Sequence, residues 1–295
     1  MSKKKSTKKG KAAKRKTKQG RSSSVLVESL PPLLSFERVL AGLGGKGGEK
    51  RSALHKAQEM IYDAWEAPTR QRAIALARKA LEVSPDCADA YTLLAEETAE
   101  SLAEALELYR KGVEAGERAL GKRAFKEDVG DFWGLLETRP YMRARAGLAQ
   151  CLWGVGRREE AVEHYWDMLR LNPNDNQGIR DLLMPCLIEL GRYEEAEKLF
   201  KRYKEDGMAV WMYSRALLDF RKHGDCPASV RSLQAALDEN KHVPSYLLGR
   251  KKMPRHLPDH YGFGDENEAV LYVHGNKAAW EATPGALEWF SAKVK

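Results

Sequence analysis

No stretch of this 295-residue chain approaches the ~18 uninterrupted apolar residues that a membrane-crossing helix needs. Its first residues lack the apolar core of an export signal. Cysteine is scarce: Cys87, Cys151, Cys186 and Cys226 lie far apart with no C-x-x-C pair, which excludes a thiolate metal site of the usual spacing. They read as reduced thiols of a cytosolic-type compartment, so the expected location is cytoplasmic, or nuclear in a eukaryote. Of seven histidines, only His256 and His260 have a ligand-like spacing, and Pro258 between them breaks the helical face it requires. Nucleophile elbows and dinucleotide loops are missing, and the run 44–48, rich in glycine, lacks the spacing of a phosphate loop. The adjacent acids Glu159-Glu160 and Glu194-Glu195 point ~100° apart on a helix and form no acid/base couple. These absences give an expectation of no catalytic residue, no metal and no cofactor, and of a non-enzymatic protein.

Acidic residues are missing from one place in particular. Residues 1–24 hold nine Lys and two Arg and no Asp or Glu. Their +11, set against the +8 of the whole chain, leaves −3 on the remaining 271 residues. The basic character therefore belongs to a segment too poor in apolar residues to order itself, and disorder is expected there. Such a segment suits a nucleic acid or an anionic surface. Residues 25–51 read as a short helix at 33–43 and a glycine-rich linker.

What the sequence has in abundance is helical periodicity with a 35-residue repeat. Leu148…Gly156-x4-Ala161-x3-Tyr165…Pro173 is answered by Leu183…Gly191-x4-Ala196-x3-Phe200. Each unit is a pair of amphipathic helices around a glycine turn, with small residues where the helices approach and an aromatic filling the next gap. Extending the period predicts pairs at 52–67 and 69–83, 89–100 and 101–120, and 210–223 and 228–240. An insert occupies 121–140, and 245–295 forms a loop followed by capping helices at 265–281 and 286–293. Pro185, inside a predicted helix, is expected to kink it and splay the central repeats.

The pattern W-x2-L-G-x2-Y…A-x3-F…P that these units resemble is that of the tetratricopeptide repeat, matched best at 142–207. The resemblance implies an all-α, right-handed superhelical solenoid. Three blocks are similar to the suppressor-of-tumorigenicity-seven family and its shorter bacterial-type relatives: Ala90–Glu97, Leu148–Cys151 and Asn240–Leu248. The stretch 264–272, followed by Trp280, also fits. This resemblance spans about 55–290, supplies no catalytic residue, and implies a scaffolding role. Its animal members carry membrane spans that have no counterpart here.

In such a stack the first helix of each pair lines the concave face. The positions expected there are Asp89, Thr92 and Glu96, then Arg143, Ala146, Gln150 and Trp153, then Asp181 and Ile188, then Trp211, Ser214 and Leu218. The candidate peptide-groove residues are Arg139, Tyr141, Arg143, Gln150, Trp153, Asp181 and Trp211, with Trp153 and Trp211 as aromatic anchors. Two readings compete with this one. Both tryptophans belong to the core in the first. In the second, Trp133 and Leu135 of the insert pack over the solenoid edge, and no pocket mouth forms at Arg139, Tyr141 and Arg143. The partner is expected to be a protein or peptide; the alternative is a nucleic-acid- or ribosome-associated factor acting through residues 1–24.

Overall fold

A computed structural model describes residues 52–258 and 260–294. The expectations for the basic segment, the helix at 33–43 and the linker lie outside these residues. Five antiparallel hairpins run in chain order: α1 (Ala53–Trp65) with α2 (Arg70–Val83), α3 (Ala88–Thr98) with α4 (Leu102–Glu127), α5 (Arg139–Gly154) with α6 (Arg158–Leu171), α7 (Ile179–Glu189) with α8 (Tyr193–Arg202), and α9 (Ala209–His223) with α10 (Pro227–Glu239). Three helices follow: α11 (Val243–Leu247), α12 (Glu266–Glu281) and α13 (Ala286–Lys293). The described residues contain no strand, and the fold is the all-helical solenoid that the period predicts.

Local chemistry places the helix starts. Ser52, Thr69, Ser101 and Asp265 each accept a backbone N–H of the first turn through the side chain, a cap worth ~1 kcal/mol. Acidic pairs open α6 and α8, where the helix dipole favours negative charge. Gly156 and Gly191 turn the chain at φ +87° and +71°, angles that a β-carbon disfavours. Ala161 and Ala196 are fully buried, with Tyr165 and Phe200 packed one turn on. The small–aromatic alternation read from the sequence is thus the alternation of the core.

The hairpins stack with first helices side by side: α1 on α3, α3 on α5, α7 on α9. Direct contact between α5 and α7 is sparse, and α7 is the helix that carries Pro185 without ending at it.

The insert differs from its expectation in two ways. Helix α4 continues to Glu127 after a break at Gly121, so the insert begins helical. Its anchor is Phe132, fully buried against Phe125 and Tyr141 at centroid distances of 5.2 and 6.0 Å. Leu135 is exposed and Trp133 only half-buried, under the Arg139 guanidinium. The carbonyl of Leu171 pins the segment by accepting from the N–H groups of both Gly130 and Phe132.

Helix α12 takes an unexpected seat. It packs on α7 and α9, besides its neighbours α11 and α13. Touching two first helices, it lies across the concave side rather than only sealing the end of the stack.

Candidate interaction groove

Two halves of the concave face have different fates. In the C-terminal half, Ile188, Ser214 and Leu218 are buried, as α12 lies over their helices. Tyr272 of α12 meets Tyr213 at 5.4 Å, and its hydroxyl accepts from Trp280 Nε1 at 2.7 Å. The buried Glu268 carboxylate accepts the Ala209 N–H at the start of α9 (2.9 Å), Asn240 Nδ2 (2.8 Å) and the Gly264 N–H (2.8 Å). The Ala209 and Asn240 donors fix the register of α12 against α9 and the end of α10, since each would lose its partner if the helix slid, while the Gly264 donor closes the turn into α12.

The N-terminal half, formed by α1, α3 and α5, has no helix from the C-terminal region packed closely across it. Its floor is a buried ion pair. The Arg143 guanidinium reaches both oxygens of Asp89, Nε to Oδ1 at 2.8 Å and Nη2 to Oδ2 at 2.6 Å. Gln58 of α1 donates to the same carboxylate at 2.8 Å, and the guanidinium lies 5.3 Å from the Trp65 ring centre. Three successive first helices are thereby cross-linked. Beyond this floor, Trp65, Glu96, Ala146, Gln150 and Trp153 are partly exposed. Arg158 sits 4.9 Å from the Trp153 ring centre and is held by Glu189 at 2.8 Å.

Where the two halves meet, Asp181 stands at the start of α7. Its Oδ1 has no hydrogen-bond donor, because Arg180, 3.9 Å away, is already bonded to Asp206 at 2.7 Å and Asp175 at 3.1 Å. Burial, with Asp206, Asp175 and Glu268 nearby and only Arg180 opposing them, pushes the Asp181 carboxyl up to about 7. A carboxyl that holds its proton more tightly when folded is fully accommodated below its unfolded value of 3.8. It then subtracts stability as the pH rises toward 7. Asp181→Asn should therefore match the wild type near pH 4 and exceed its thermal midpoint by roughly 4–8 °C at pH 8. Melting curves at the two pH values check this; an equal difference at both would contradict it.

Of the seven sequence candidates, Gln150, Trp153 and Asp181 offer accessible surface on first helices. Arg143 lies there too, but its charge is committed to Asp89. Trp211 requires correction: it is 3% exposed and edge-packed on Phe200 (5.0 Å) and Tyr203 (6.2 Å), so it is core, turned toward α8. Tyr141 is likewise buried. Its hydroxyl accepts from Arg145 at 2.8 Å and borders a cavity of about 600 Å³ beside α4 and α6, with Glu117, Lys122 and Asp167 on its walls. Arg139 belongs to the insert, donating to the Trp133 carbonyl at 2.8 Å. Near that cavity His164 accepts from Arg145 Nε at 3.1 Å, and burial beside that cation lowers it to about 4. Sequence reasoning missed Trp65 and Gln58. Their signal was present, since both fall on the apolar stripe of α1, but the earliest repeats are too degenerate to fix its phase.

Among the described residues no helix is long and apolar enough to cross a membrane, and no cluster of His, Cys, Asp or Glu has the make-up of a metal site.

Comparison with known proteins places this architecture. The family described as ST7 protein matches residues 49–294. The chain is similar to the suppressor of tumorigenicity 7 protein-like protein of Gallus gallus, 28% identical over 257 residues, covering 80% of this chain and 46% of that one. It also resembles the suppressor of tumorigenicity 7 protein of Macaca fascicularis, 27% identical over 280 residues, with 79% and 52% covered. The chain spans about half the length of these curated relatives. Among solved structures it resembles YrrB, described as a TPR protein with an unusual peptide-binding site, at a TM-score of 0.45 and 22% identity, covering 63% of this chain and 84% of that one.

Proposed function

We propose, from the premise that this chain belongs to the ST7 protein family, that it is a non-enzymatic interaction scaffold. Its ligand is a peptide or helix held in the open N-terminal half of the concave face. The observation that carries this reading is the position of α12. The same concave surface already accommodates a helix at α7 and α9, and beside it α1, α3 and α5 present a continuation that no helix among the described residues packs closely across. A ligand following that track would set an apolar or aromatic side chain against Trp153 and Gln150. That contact is of the kind that dominates interface energies, an aromatic anchor in a groove. Arg143 and Asp89 shape the floor and do not themselves bind.

The test uses a peptide selected from a random library on the full chain, with affinity followed by fluorescence anisotropy. Trp153→Ala is expected to weaken binding by about 30-fold and Gln150→Arg comparably. Gln150→Arg should keep the thermal midpoint of the wild type, whereas Trp153→Ala, which also gives up packing on the core and under Arg158, should lower it while leaving the chain folded. Retention of full affinity by both folded variants would place the ligand elsewhere and defeat the reading.

A further inference from the structure

The connection between α11 and α12 has a composition unlike the rest of the folded body. Arg250, Lys251, Lys252 and Arg255 supply four cations, and Met253, Tyr261 and Phe263 three large apolar side chains; all seven are exposed. Phe263 is 83% exposed, the most exposed of the large hydrophobic residues described. Leaving a phenyl ring in water forgoes the stabilisation its burial would bring, yet the chain around it is firmly tied. Asp265 accepts the Gly262 N–H at 2.7 Å and the Glu268 N–H at 2.8 Å. The Gly264 N–H bonds the buried Glu268 carboxylate, and a β-carbon on Gly264 would fall 2.8 Å from the Glu239 carbonyl oxygen. Asn267 holds the His260 carbonyl at 3.0 Å. Backbone on both sides of Phe263 is thus fixed to the base of α12, and the ring is held out by construction.

The cations are equally open. Lys251 pairs with Glu266, but among the described residues Arg250, Lys252 and Arg255 have no carboxylate partner. We propose that this connection is a contact for an anionic bilayer surface, with Phe263 entering the boundary between headgroups and acyl chains and Arg250, Lys252 and Arg255 resting on the phosphates. One inserted ring gives only marginal attachment, and stable binding takes a second, electrostatic signal. Residues 1–24, with eleven cations and no acid, supply one. A single-stranded nucleic acid fits less well. Such binding stacks successive bases on a row of rings, and here one ring, Phe263, projects fully while Tyr261 is only 42% exposed.

The experiment is co-sedimentation of the full chain with vesicles of phosphatidylcholine, alone or mixed with phosphatidylglycerol. Binding is expected only to the anionic vesicles. Phe263→Ala should lower the partition coefficient about tenfold, and Lys252→Gln and Arg255→Gln about fivefold each, with unaltered melting because all three side chains are in solvent. Deleting residues 1–24 should weaken binding while leaving the dependence on Phe263 intact. Failure to bind anionic vesicles would overturn the proposal. So would binding indifferent to Phe263→Ala, or Phe263-dependent binding of single-stranded RNA without any response to vesicles.

Discussion

Replacing Gly147 by alanine is expected to lower the thermal midpoint by roughly 4–12 °C, the reverse of what this substitution does on an exposed helix. In an open helix the change gains up to ~1 kcal/mol in propensity. Here the added β-carbon would stand 2.2–2.5 Å from three atoms of the Tyr109 ring. That ring is fully buried between α4 and α5, with no flexible end to swing aside. Either the two helices separate or the ring leaves its rotamer, and overpacking of this kind costs about 1–3 kcal/mol or more. Gly147 is the small residue that lets adjacent hairpins interlock, so the damage spreads along the stack. Combining Gly147→Ala with Tyr109→Leu should give a loss smaller than the sum of the two single losses, by at least ~1 kcal/mol. Denaturant melts of the four proteins test this; simple additivity would mean that the two residues do not face each other.

Arg143→Ala should be more damaging still, by about 3–5 kcal/mol, because it strands the Asp89 carboxylate at the junction of three helices. Asp89 is fully buried and Arg143 is 14% exposed at the side chain, so water cannot replace the lost guanidinium. Among the described residues, Gln58 is the side-chain donor that would remain. Loss of the contact with Trp65 adds to the deficit. Replacing both partners, as Asp89→Leu with Arg143→Met, should restore much of the stability, since an apolar pair of similar volume leaves no charge unpaired. Urea unfolding followed by circular dichroism separates the cases. A mild effect of Arg143→Ala, or a double variant as unstable as the single one, would show that the pair is not the strut described here. Loss of ligand binding in Arg143→Ala is no evidence of direct contact, as the floor itself is disturbed.

The architecture was legible because a repeat states its packing twice. Ala161 and Ala196, Tyr165 and Phe200, Gly156 and Gly191 occupy equivalent places, and their agreement fixes which faces meet. Helix limits at α2, α6 and α12 were readable from Thr69, from Glu159-Glu160 and from Asp265, all local signals. Features set by residues distant in sequence were not readable. Asp89 and Arg143 are 54 positions apart, and nothing in either helix alone says that the arginine will be neutralised. The seat of α12 on α7 and α9 depends on Glu268 finding the start of α9, 59 residues away. Trp211 sits on a helix buried on several sides, where an apolar stripe no longer tells groove from core. Within the insert, Phe132, Trp133 and Leu135 have no period to rank them, and distant partners, the Leu171 carbonyl with the rings of Phe125 and Tyr141, decide which one is buried.

The central claim is that the concave face is closed by α12 at one end and open for recognition at the other. Amide hydrogen exchange of the full chain, with and without the selected peptide, tests it most directly. Without peptide, the amides of α12 should exchange as slowly as those of α9, opening only when the stack opens. With peptide, new protection should appear in α3 and α5. Rapid exchange of α12 in the free protein, or protection confined to residues outside α1, α3, α5 and α7, would contradict the account.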